Sequence, residues 1–121
     1  MARSEKPGKT LRKLAGLAYE RELTQELEAV ARQFDRWREG GISCWDLSDL
    51  IHEFHDGVSR ELFKQYNYAA PEVTVARAVS ADILAEDEVS RAALDRIQML
   101  IDSYRGESPT DEWRGWESTD E

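Results

Sequence analysis

Leu23, Leu27, Val30, Phe34 and Trp37 recur at spacings of four and three along one stretch of the chain, and Tyr19 falls on the same stripe. A helix turns by about 100° per residue, so these positions share one face of an amphipathic helix. Strong helix formers fill the positions between them, and the pattern predicts a helix from about Leu11 to Glu39. Gly40-Gly41 ends it, because glycine takes the left-handed backbone of a helix C-cap without steric cost. Leu11, Leu14 and Ala18 lie on a different face. The first turns are therefore expected to pack elsewhere or to form a separate short helix.

The same period continues beyond the glycines. Ser43-Cys44-Trp45-Asp46 has the form of a capping box, with Asp46 in place of the commoner Glu or Gln. Leu47, Leu50, Ile51, Phe54 and Val58 make the next apolar stripe. After Gly57 the apolar positions are Leu62, Phe63 and Tyr66, which centre about 100° further round the cylinder. Either the helix kinks at Gly57 or its buried face rotates there from one neighbour to another, next to His52 and His55; a helix over 44–66 kinked at Gly57 is the favoured reading. Pro71 suits the first turn of a third helix with Val73, Ala76, Val79, Ile83 and Leu84 inside. Ser90 can cap a fourth helix with Leu94, Ile97, Ile101 and Tyr104 on its inner face and Leu100 beside it. Gly106 and Pro109 close the folded part. No segment alternates as a strand would. The expected fold is all-α: a small up-and-down bundle of about four helices with a long first and a kinked second helix.

A length of 121 residues fits one domain able to bury its own core. No apolar run approaches the ~18 residues of a spanning helix, so no membrane segment is expected. The basic N-terminus lacks the apolar stretch of a secretory signal. A single cysteine, Cys44, excludes an internal disulfide and any CxxC metal or redox motif, which points to a reducing, cytoplasmic setting.

Charge is unevenly spread. The net charge is −9, yet residues 1–13 hold five bases (Arg3, Lys6, Lys9, Arg12, Lys13) against Glu5 alone. Residues 105–121 hold two bases and six acids. This layout predicts a basic disordered arm over 1–10, a helical domain over 11–105 and an acidic tail over 106–121. The acidity disfavours nucleic acid, whose phosphates attract basic surfaces. A helix-turn-helix reading fails for the same reason: the helix after Gly40-Gly41 carries Asp46, Asp49, Glu53 and Asp56. The basic arm alone is a low-specificity signal for phosphate contact.

Only one local cluster has residue types suited to chemistry. Asp49, His52, Glu53, His55 and Asp56 include both histidines of the chain. At helical spacing Asp49, His52 and Asp56 share a side, with His55 about 60° toward the apolar stripe. Imidazole and carboxylate together can hold one divalent transition metal or serve acid–base catalysis. A di-iron bundle site needs a second Glu-x-x-His copy, which is absent. His55-Asp56 is similar to the dyad of HD phosphohydrolases, but the separated upstream histidine of that family has no counterpart here. The ordinary alternative is a pair of part-buried histidines satisfied by neighbouring carboxylates or carbonyls. Cys44 sits at a helix start, and His52 and His55 lie two or three turns down the same helix, pointing away. A small apolar residue beside Trp45 is the favoured reading of Cys44. The Gly40-Gly41 pair matches no phosphate-binding loop.

Trp113 and Trp116 stand in the acidic tail, where each has ~200 Å² of surface to bury. Three readings are open: they dock on their own chain, anchor in a partner, or are simply tolerated in the tail. The reading favoured by these features is a non-enzymatic helical interaction or regulatory protein: a subunit, adaptor or inhibitor. It would present an acidic surface to a basic partner protein and need no cofactor. A metal-dependent or acid–base enzyme centred on Asp49, His52, Glu53, His55 and Asp56 is the alternative. The two heptads from Leu23 to Trp37 leave a homodimer open.

Overall fold

The computed structural model describes residues 6–106, and all regular structure among them is helical. The elements are α1 (Pro7–Arg38), α2 (Cys44–Phe54), a π-helical turn (His55–Ser59), α3 (Arg60–Tyr68), α4 (Pro71–Ser80), a short 3-10 turn (Glu86–Glu88) and α5 (Arg91–Gly106). Since α2, the π turn and α3 run on without a break, the described residues make four helical rods.

α1 starts at Pro7, so the boundary expected at Leu11 moves one turn toward the N-terminus. Pro7 in the first turn is the local signal for that start, and nothing else local reinforces it. No side chain caps it, and its first turn holds no acid to complement the helix dipole. Tertiary burial holds it instead, through Leu11 and Leu14.

The core is not where the longest stripe pointed. Leu11, Leu14 and Ala18 of α1 pack with Val75, Ala76, Ala78 and Val79 of α4, Leu84 and Val89 of the following loop, and Ala93, Ile97 and Ile101 of α5. Leu27 is 47% exposed and Trp37 40%. The reason is length. At 1.5 Å per residue α1 is about 48 Å long, while α4 and α5 are about 15 and 24 Å. The two short helices cover only the N-terminal half of α1. No residue of α1 beyond Ala18 belongs to this core, and the α2–α3 rod is folded back against α1.

The π turn resolves the 100° mismatch within that rod. It inserts one residue into the α-helical count, and one residue is worth about 100° of phase. The later apolar set is thereby brought back to the side of the earlier one. Leu47 before the turn and Leu62 after it are both buried, and Leu50, Phe54 and Tyr66 are half-buried. The expected kink at Gly57 is a register correction at that residue.

Helix ends follow the local signals closely. The Ser43 hydroxyl accepts from the Asp46 amide at 3.0 Å and the Asp46 carboxylate from the Ser43 amide at 3.2 Å. At the end of α1 the Gly41 amide reaches the Arg36 carbonyl and that of Gly40, at φ +83°, the Trp37 carbonyl. The end of α4 repeats this Schellman pattern with Asp82, at φ +62°, in the glycine position. Pro71 opens α4 and the Ser90 hydroxyl accepts from the Ala93 amide near the start of α5.

Candidate functional site

Two polar clasps join the elements on either side of the core. Glu22 of α1 is the centre of the first. Its Oε2 accepts from the Tyr66 hydroxyl of α3, from Arg77 Nη2 of α4 and, at 3.4 Å, from Gln65 Nε2. Arg77 Nη2 also donates to the Tyr66 hydroxyl at 3.0 Å, and the Tyr66 ring stacks on Tyr19 with centroids 4.8 Å apart. Burial, then the hydrogen bond to the Glu22 carboxylate, pushes the Tyr66 phenol well above its ordinary range. Arg77 Nε is buried with no hydrogen-bond partner among the described residues. One carboxylate here neutralises one guanidinium across three helices, which is a structural arrangement.

The second clasp is bidentate. Arg21 of α1 holds both carboxylate oxygens of Glu88 and donates to the Ile83 carbonyl, while Glu88 also accepts from the Ala85 amide. The Arg21 hydrogen bonds, followed by that amide, bring the Glu88 carboxyl down to about 2. Neither clasp was foreseen from the sequence. Their partners are 55 and 67 residues apart, and no local spacing links residues at such distances.

The cluster singled out by residue type lies on the distal rod. Asp49, His52 and Glu53 are on α2, and His55 and Asp56 open the π turn; all five side chains are exposed. The part-buried histidines expected from the rotating apolar face are thus corrected: with the phase restored by the π turn, that face stays on α1 and both imidazoles stand in solvent. Among the described residues no group of three or more His, Cys, Asp or Glu is placed to hold a metal ion. Cys44 is exposed rather than tucked away, and its neighbour Trp45 is 77% exposed. Trp113, Trp116 and most of the acidic tail lie outside the described residues, as does the start of the basic arm. Lys9, Arg12 and Lys13 are on the first turns of α1.

The distal rod and α1 do frame a groove. Ala29 and Val30 form one wall and Leu50, Phe54 and Val58 the other, around a volume of about 290 Å³. Glu26 and Glu53 stand along its two sides, with Gln33 further along α1. Val58 belongs to the π turn, so the register correction also places an apolar side chain at the opening. Ile51 and Leu27 add exposed apolar surface on the two helices. Beside this groove, Asp49, Glu53 and Asp56 form no ion pair among the described residues, and no Lys or Arg occurs from Cys44 to Ser59. The groove thus combines exposed apolar walls with neighbouring carboxylates that have no ion pair among the described residues.

No helix among the described residues is long and apolar enough to cross a membrane. No family model, curated protein or solved structure shows a significant match to this chain.

Proposed function

We propose that the chain is a non-enzymatic interaction protein, a subunit, adaptor or inhibitor, that meets a basic partner protein through the distal helical rod. A single observation carries this reading: the α2 and π-turn stretch has four carboxylates and no Lys or Arg, and it borders an open apolar groove. Carboxylates such as Asp49, Glu53 and Asp56, without an ion pair among the described residues, steer a basic protein and select it, while desolvated apolar anchors supply affinity. Trp113 and Trp116 provide a second anchor in this reading. No cofactor enters it.

Co-purification from the native host tests the proposal. The full chain is compared with an Asp49→Lys, Glu53→Lys, Asp56→Lys variant of matched helicity and with a chain ending at Tyr104. The expected result is a stoichiometric basic protein retained by the full chain and lost from the charge-reversed variant. Its loss from the truncated chain as well would assign the tryptophans to the interface. A chain that elutes alone, or a partner held equally by the charge-reversed variant, would overturn the reading.

A further inference from the structure

We infer that the groove between α1 and α2 is occupied by one amphipathic helix of the partner, apolar along one face and flanked by Lys or Arg. The inference rests on the interaction reading above and adds the form of the partner. The fold itself supplies the first argument. Along its N-terminal half α1 is covered by two helices, α4 and α5, which together close a core. Beyond Ala18 no residue of α1 belongs to that core, and from Glu26 to Gln33 the helix lies beside the α2 and π-turn stretch with one groove open between them. A third helix laid into that groove would repeat the arrangement of the other half.

Dimensions agree with this. Glu26 to Gln33 spans two helical turns, about 10 Å, which matches apolar anchors at i, i+3 or i+4 and i+7 of an incoming helix. Charge then separates the occupants. Residues 26–59 hold eight acids and three bases, and the flanking side chains of the groove, Glu26 and Glu53, are both acidic. A second copy would set these same carboxylates against each other. The chain's own segment 107–121, with six acids and one arginine, would also bring like charge to like. A helix flanked by Lys or Arg pairs with both sides of the groove.

Peptide binding to the full chain tests the idea, with three labelled three-turn peptides followed by fluorescence anisotropy. One has a Leu stripe with Lys flanks, the second has the same composition scrambled, and the third has the Leu stripe with Glu flanks. The striped Lys peptide is expected to bind at least about tenfold more tightly than either other peptide. Glu26→Lys with Glu53→Lys should weaken it by about tenfold or more, as should Val58→Asp at an exposed wall position, with helicity unchanged. Equal binding of the scrambled peptide would overturn the helix-in-groove inference and leave the acidic-surface reading standing. No binding by any peptide at low salt would overturn both. A concentration-dependent dimer in sedimentation that Val58→Asp dissociates would give the groove to a second copy. Tighter peptide binding after removal of 107–121 would give it to the tail. Either result overturns the inference.

Discussion

Arg21 and Glu88 face each other fork to fork, with Nη1–Oε1 at 2.9 Å and Nη2–Oε2 at 2.6 Å, and pin the loop before α5 to the middle of α1. Because Arg21 holds the Glu88 carboxyl at about 2 in the fold, against 4.5 when free, the sign of its pH dependence follows. A carboxyl lowered by folding stabilises the native state above its unfolded value and loses that contribution as pH falls through its folded value. Denaturant midpoints should therefore drop between about pH 4.5 and 2 more steeply in the native sequence than in Glu88→Gln. Parallel curves for the two proteins would mean that the pair does not hold in solution. Both side chains are about one-third exposed, so added salt should reduce the difference.

Glu22 lies deeper and should matter more. Replacing it with Ala leaves Arg77 without its carboxylate and Tyr66 without its acceptor. A loss of about 2–4 kcal/mol is expected from urea unfolding, since breaking one side of a part-buried pair leaves the other charge uncompensated. Tyr66→Phe keeps the stack on Tyr19 and removes only the hydroxyl, and should cost about 1 kcal/mol.

Leu11→Ala and Ile97→Ala, at fully buried positions, should each cost about 2–5 kcal/mol. Leu27→Ala, on the stripe that looks most like a core from the sequence, should cost less than about 1 kcal/mol, because its side chain is already half in solvent. A large loss at Leu27 would show that the distal half of α1 is covered in solution.

Asp82 holds a left-handed conformation where glycine carries no penalty. Asp82→Gly should raise stability by a few tenths to about 1 kcal/mol, and Asp82→Val should lower it by about 1–2 kcal/mol. Thermal or urea unfolding of the two variants would separate the backbone effect from side-chain contacts.

The site was legible in part. The acidic character of α2, the lone histidine cluster and the apolar positions Leu50, Phe54 and Val58 can all be read directly. Their arrangement into a groove cannot, since it depends on how far along α1 the neighbouring helices reach. Periodicity reports which face of a helix is apolar. It carries no information about which stretch of that face is covered.

That division holds for the whole molecule. By itself the sequence determined that residues 6–106 are helical, where α2, α4 and α5 begin, and that the apolar face shifts by about 100° near Gly57. Those properties come from local backbone preference, capping and the 3.6-residue repeat, which act within a few residues. Only the tertiary structure decided that Leu11, Leu14 and Ala18, and not Leu23 to Trp37, form the core of α1. It also decided that Arg21 meets Glu88 and Glu22 meets Arg77, and that both histidines face solvent. Each of these outcomes depends on the lengths and meeting points of elements far apart in the chain, and burial is settled only where such elements come together.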